Sequence, residues 1–212
     1  DLTVRTAHPW EGTTDIEVAR CSSREHWELS LRSPEWALEK ATRVMVNAAP
    51  VEASWEGSYL RVARRWSAGD HLQVSCSMPV RVLRPHWRVD SVRGCVAVQR
   101  GPLVYCVEAD DLDEGVAVED VVMDAARPLE PTTVVPADLQ GYVKVAVVAS
   151  GEGADGSAAQ LYNEDGTRKW KAEPLALTFV PYFARGNRAR DAMRVWAPVH
   201  PGQGEVPKPE RV

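Results

Sequence analysis

The stretch "GCVAVQRGPLVYCVE", residues 94–108, decides how this chain is read. Two apolar runs, residues 95–98 and 103–107, flank the polar group Gln99-Arg100-Gly101-Pro102. The apolar runs read as strands. Gly permits unusual backbone angles and Pro withholds a ladder donor, so the group between them predicts a bend or bulge. Arg100 is expected to anchor it through hydrogen bonds to nearby carbonyls or a carboxylate. The rival is an Arg beside a Gly-Pro turn in a substrate pocket.

The same two-residue period extends outward on both sides. Trp27-Glu28-Leu29-Ser30-Leu31-Arg32 and Leu72-Gln73-Val74-Ser75-Cys76-Ser77-Met78 alternate cleanly, which puts alternate side chains on one sheet face. Further strands are predicted at residues 2–6, 15–19, 43–47 and 59–64, and then at 142–149, 172–180 and 192–198. Turn-forming residues punctuate them, as in Ser33-Pro34-Glu35 and Ala68-Gly69-Asp70. That rhythm points to a sandwich or barrel. No run of six or more amphipathic helices occurs, so a large helical barrel has no place in this chain.

The 212 residues can bury one large core or two of about 100 residues each. A hydrophobic content of 44% and a charged content of 26% are those of a folded protein. The formal net charge of -5 argues against nucleic acid as a partner. No apolar run approaches the roughly 18 residues of a membrane span, and no membrane partner is expected. Between compartments the reading leans to the cytoplasm, although a start at Asp1 is uninformative if the chain is part of a longer one.

Cys21, Cys76, Cys95 and Cys106 lack the spacing of a zinc site, so buried or free thiols come first, a disulfide second and a metal last. The eight Trp residues fit sandwich cores, with sugar stacking as the lesser alternative. The pattern Gly151-x-Gly153-x-x-Gly156 matches the dinucleotide fingerprint, but a turn signal follows too soon for a crossover helix. A flexible hairpin loop is the preferred reading. Glu108, Asp110 and Asp111 offer carboxylates for a glycosidase pair, yet an acidic solvated loop explains them more simply. "ARGNRARDAMR", residues 184–194, could clasp a carboxylate or phosphate, although a structural loop is preferred. His8, His26, His71, His86 and His200 show no metal-ligand spacing and read as surface or turn residues.

Several phrases form one ordered set: "PWEG" at 9–12, "LSLRSPEWA" at 29–37, "VMVNAAPV" at 44–51 and "YLRVARRWSAGDHLQVSCSMPVR" at 59–81. The opening stretch and "VPYFARGNRARDAMRVWAP" at 180–198 complete it. The set resembles the C-terminal portion of glycoside hydrolase family 127, the beta-L-arabinofuranosidase family of bacterial and related proteins. The resemblance implies an (α/α)6 catalytic barrel elsewhere, followed by β-sandwich domains of which this chain holds the latter. It also implies retaining hydrolysis by a zinc-bound cysteine thiolate, with a glutamate as acid/base. The Cys-Cys pair and Glu-x-Cys segment that carry this chemistry are absent here. No catalytic, cofactor-binding or metal-binding residue is therefore assigned, and zinc is expected only in the barrel. Cys106 corresponds to a sandwich-strand cysteine. Glu35, Phe183 and Gly186 stand where the family more often has Gly, Tyr and Ala.

The reading is thus all-β: two β-sandwich, jelly-roll-like domains, mainly antiparallel. The first is expected over residues 1–107 and the second over 108–198, the last strand returning to the first sheet, with a flexible tail at 199–212. The expected function is that of a non-catalytic C-terminal accessory region of a glycoside hydrolase, with the helical domain of the same polypeptide as partner. A homodimer contact and carbohydrate, reached through the parent enzyme, are further expected partners. The alternative is a free-standing carbohydrate-binding module stacking sugars on Trp10, Trp36, Trp55 or Trp87.

Overall fold

The structure, a computed structural model, describes residues 1–37, 41–124, 126–140, 143–152, 175–188 and 192–199. Among these the regular elements are strands and single-turn 3-10 segments, and every strand ladder is antiparallel. The all-β, mainly antiparallel expectation is met. No helix among the described residues is long and apolar enough to cross a membrane. Backbone contacts divide the chain into two units, Asp1–Pro79 and Val80–Val212.

The first unit contains β1 (Leu2–Thr6), β2 (Thr13–Val18), β3 (His26–Arg32), β4 (Thr42–Val46), β5 (Ala49–Pro50), β6 (Ser54–Glu56), β7 (Tyr59–Arg65) and β8 (His71–Cys76). One sheet has the order β1-β2-β8-β4-β5 and the other β3-β7-β6. Alternation decides which side chains meet between them. Ile16 and Val18 of β2 and Leu72 and Val74 of β8 share one buried cluster with Leu29 of β3 and Leu60 and Val62 of β7. Trp66, just past β7, is 1% exposed. Its indole N–H donates to the Trp27 carbonyl at 3.2 Å, and the two rings lie 5.7 Å apart, so the polar end of a large apolar group is satisfied in the core.

The β4–β5 hairpin turns through Asn47 and Ala48, whose φ values are 48° and 63°. Two successive positive φ angles match the twist of the strands, and Asn tolerates them better than Ala. Asn47 also ties the turn to its neighbours. Its amide donates to Asp70 at 2.8 Å and its carbonyl oxygen accepts the His71 N–H at 2.9 Å. The Asn47 amide and then the Ser67 N–H hold the Asp70 carboxyl below its ordinary range.

The second unit contains β9 (Val80–Leu83), β10 (Cys95–Arg100), β11 (Leu103–Glu108), β12 (Val122–Met123), β13 (Glu130–Thr132), β14 (Ala146–Glu152), β15 (Leu175–Pro181), β16 (Met193–Arg194) and β17 (Ala197–Pro198). The path runs β12-β14-β15-β11-β10-β17, with β13 on β14, β16 on β11 and β9 on β10. β11 is buried at five of its six positions, so both of its faces are covered.

These pairings move the domain boundary from 107/108 to 79/80. β10 and β11 make their hydrogen bonds to β9, β15, β16 and β17 and to each other, so the opening stretch belongs wholly to the second unit. The last strand does return, to Cys95 and Val96 of β10, but that strand is not part of the first unit. The expected tail lies outside the described residues from 200 onward. Gln99-Arg100-Gly101-Pro102 is neither a bulge nor a junction between units. Arg100 pairs with Leu103 across a two-residue hairpin turn, and Gly101 takes φ 54°.

The fingerprint glycine Gly151 sits inside β14, which pairs antiparallel with β15, whereas a dinucleotide fold requires a parallel crossover. Its role is close packing: a Cβ there would fall 2.4 Å from Leu177 Cδ1 and 2.8 Å from the Val122 carbonyl oxygen. The expected loop after it lies outside the described residues. Gly151→Ala is expected to destabilise the second unit by about 1 to 3 kcal/mol, read as a lower urea midpoint. Ala48→Gly should act in the opposite direction, stabilising by about 0.5 to 1 kcal/mol through relief of the left-handed Ala. An unchanged midpoint in either variant would contradict the packing or strain assigned to it.

Candidate functional site: a buried arginine and its carboxylates

The charged groups that the sequence raised separately come together in the second unit. β11 ends at Glu108, whose residue is 6% exposed, and the chain then makes a 3-10 turn through Asp110 and Asp111. β15 ends in another 3-10 turn, Tyr182–Ala184, after which Gly186 at φ 78° reverses the chain toward Arg188. The Asn187 amide fixes this reversal by donating to the Ala184 carbonyl at 2.9 Å. Backbone pairing supports the approach, since Glu108 faces Met193 of β16 and the Ala109 N–H donates to the Ala192 carbonyl at 3.0 Å.

The Arg188 side chain is 6% exposed. Its Nη1 and Nη2 donate to the two oxygens of Asp111 at 2.7 Å each, in the bidentate geometry that matches a guanidinium fork to a carboxylate. Nη2 also donates to Glu108 Oε2, and the Gly186 N–H reaches Glu108 Oε1 at 3.3 Å. Asp138 and Asp110 lie 3.6 and 3.9 Å from Nε, too far for hydrogen bonds but close enough to add negative potential. Hydrogen bonds to Asp111 above all, and to Glu108, raise the Arg188 pKa against the opposing effect of burial.

This corrects the solvated-loop expectation for Glu108 and Asp111, which are buried and paired. It also settles the clasp. The carboxylates that Arg188 holds are the protein's own, and the structural-loop reading of residues 184–194 agrees with the described part. Glu108 and Asp111 share one guanidinium and do not face each other across an open groove, as a glycosidase pair would. The signal available in the sequence was weak, because 30 acidic and 25 basic residues give many such coincidences.

Next to this cluster, Cys106 is fully buried in β11. Burial foremost, and then the charges of Glu108 and Asp111, push its thiol from 9.0 up to about 12, with Arg185 and Arg188 opposing. The thiolate needed by a nucleophile is therefore scarce at neutral pH. All four cysteines are free. Among the described residues no group of three or more His, Cys, Asp or Glu side chains could hold a metal.

Arg100 lies beside the Tyr105 hydroxyl, whose O–H donates to the Val145 carbonyl at 3.2 Å. Burial raises the Tyr105 pKa, and Arg100 works against that rise. Of the four Trp residues considered for stacking, Trp10, Trp36 and Trp55 are partly buried and Trp87 is 39% exposed. The Arg88 guanidinium lies 4.8 Å from the Trp87 ring centre. His26 and His86 are exposed and His71 lies 3.4 Å from Asp15; His200 falls outside the described residues. His8 departs from the surface expectation, because its Nε2 is buried.

Fold and cluster together define an all-β protein of two antiparallel units whose principal charged site is internally paired. Residues 1–78 match the family described as "Beta-L-arabinofuranosidase, GH127 middle domain", and residues 80–198 match "Glycoside hydrolase family 127 C-terminal domain". The chain belongs to glycoside hydrolase family 127. It is similar to a non-reducing end beta-L-arabinofuranosidase of Bifidobacterium longum, 34% identical over 197 residues that make up 91% of this chain and 29% of that relative. Among solved structures it resembles a GH127 beta-L-arabinofuranosidase from Geobacillus stearothermophilus, with a TM-score of 0.80, 28% identity, and coverage of 94% of this chain and 30% of the other. A second GH127 beta-arabinofuranosidase gives a TM-score of 0.76 at 25% identity, covering 94% and 31%. The chain thus spans less than a third of the length of these relatives.

Arg188→Ala is expected to cost about 3 to 5 kcal/mol by leaving two buried carboxylates without their cation. Chemical denaturation of the purified chain checks this, and a loss below about 1 kcal/mol would mean that the cluster behaves as a surface pair. Cys106 carries a pH dependence. Its folded pKa lies above the unfolded value, so the unfolded state releases its proton first and stability falls as pH rises from about 9 toward 12. A Cys106→Ala variant should lack that component of the decline, as measured by urea midpoints across alkaline pH.

Proposed function

We propose that this chain is the non-catalytic accessory region of a glycoside hydrolase similar to beta-L-arabinofuranosidases, supporting a helical catalytic barrel in the same polypeptide. One observation carries the reading. Nearly the whole chain matches middle and C-terminal domain descriptions, and it spans only 29% of the length of its Bifidobacterium longum relative. Substrate contact and zinc belong, in this proposal, to the barrel.

The surface of the second unit supports such a role. Tyr182 and Phe183 are adjacent on a 3-10 turn and are 49% and 56% exposed. Two neighbouring aromatics on a rigid turn, fixed from behind by β15 and the Arg188 cluster, form an apolar contact surface for another domain. Homodimer formation is the further partner contact proposed.

The purified 212-residue chain should release no arabinose from a beta-L-arabinofuranoside, whereas deleting the matching region from the Bifidobacterium longum relative should lower the Tm of what remains. Hydrolysis by the isolated chain, or a truncated relative of undiminished stability, would refute the accessory role.

A further inference from the structure

The strand registers of the first unit settle which side chains lie on the outer side of its larger sheet. Ile16, Val46, Leu72 and Val74 point into the core, so the residues that alternate with them on β2, β4 and β8 point away from it. On that outer side, charge is met within the sheet. Arg5 lies 3.4 Å from Glu17, His71 lies 3.4 Å from Asp15, and the Gln73 amide donates to Asp15 at 2.9 Å. Arg43 differs: it is exposed and takes part in no hydrogen bond or ion pair among the described residues.

Register also fixes the neighbours of Arg43. It pairs with Ser75 of β8, and Ser75 pairs in turn with Thr13 of β2, so the three side chains form one cross-strand row. The backbone around the row is braced. The Ser77 N–H donates to the Ala41 carbonyl at 3.2 Å, and the Cys76 N–H donates to the Gly12 carbonyl at 2.8 Å. A Cβ at Gly12 would lie 1.9 Å from the Cys76 carbonyl oxygen, so only glycine lets the loop before β2 close on the end of β8. An open pocket of about 440 Å³ lies here, lined by Ala41, Arg43, Ser75, Cys76 and Ser77. No carboxylate is among these residues, although the chain has 30 acidic against 25 basic residues.

The lining selects among ligand classes. A guanidinium only donates, and the Arg43 fork has no protein acceptor to occupy it. The Thr13 and Ser75 hydroxyls lie 3.2 Å apart, and when Thr13 donates to Ser75 the Ser75 proton is free for an outside acceptor. A cation is repelled by this set. A neutral polyol forgoes the charge-assisted bonds that an oxyanion makes with Arg43. The volume falls within the usual range for small-molecule sites, so the oxyanion has room to be part of a larger group, and the absence of an aromatic platform favours a polar one. From these features we propose that this end of the larger sheet binds a small polar molecule through its carboxylate or phosphate, with the oxyanion on Arg43 and hydrogen bonds from Ser75 and Ser77.

The proposal does not rest on the accessory role, so a failed deletion experiment leaves it standing. The test is an NMR titration of the 212-residue chain, following backbone amides at low ionic strength. D-galacturonate carries the carboxylate and glycerol phosphate the phosphate; D-galactose is the neutral control and sodium chloride the ionic one. At least one of the two organic anions should shift the Arg43, Ser75 and Ser77 amides saturably, and which of them binds more tightly identifies the oxyanion. Arg43→Ala, at an exposed position that spares the fold, should weaken that binding by about tenfold or more. Ser75→Ala should weaken it in the same direction by a smaller factor. The idea is overturned by no saturable shift with either organic anion, by equal shifts from sodium chloride or D-galactose, by shifts confined to the amides around Arg84 and Arg88, or by an affinity that Arg43→Ala leaves unchanged.

Discussion

A carboxylate cannot be buried alone without a large desolvation cost, and β11 ends with one. Glu108 stands at the close of a strand buried at five of six positions, so its charge must be met from within the protein. Arg188 meets it, and Asp111 completes a bidentate pair on the same guanidinium. That constraint brings the segment after β15 back onto β11, where Met193 and Arg194 add a short strand to its edge. Cys106 is then enclosed beside the carboxylates and held as a thiol. Much of the second unit's connectivity can be read as the solution to one electrostatic requirement.

The first unit solves a different problem. A five-stranded sheet faces one of three strands, and their shared core is built from alternate residues of β2, β3, β7 and β8 with Trp66 beside them.

Strands with strict alternation were legible in the sequence. The reading of residues 2–6 coincides with β1, although its Leu2 and Val4 are exposed, and residues 27–32 fall within β3, whose Leu29 reaches the core. Short strands such as β5, β12 and β13, of two or three residues, carry no periodic signal and were not expected. The boundary at 107 failed for a related reason. The change in texture after Glu108 marks the end of a strand, but which strands β10 and β11 pair with depends on residues up to 103 positions away. The acidic run at 108–111 and the Arg-rich run at 184–194 were both visible. Their mutual neutralisation was not, since local composition cannot distinguish a solvated charge from a buried pair.

The sequence by itself determined the all-β class, through the two-residue period, and the family, through an ordered set of phrases spanning nearly the whole chain. It also pointed to a reversal or bend at Gly101-Pro102, because Gly permits a positive φ and Pro withholds a ladder donor. Only the tertiary structure decided that this reversal is a hairpin within the second unit and that Arg188 answers Glu108 and Asp111. The reason is physical: local propensity acts over a few residues, whereas pairing register and the burial of charge are settled by partners that the chain meets only after it has folded.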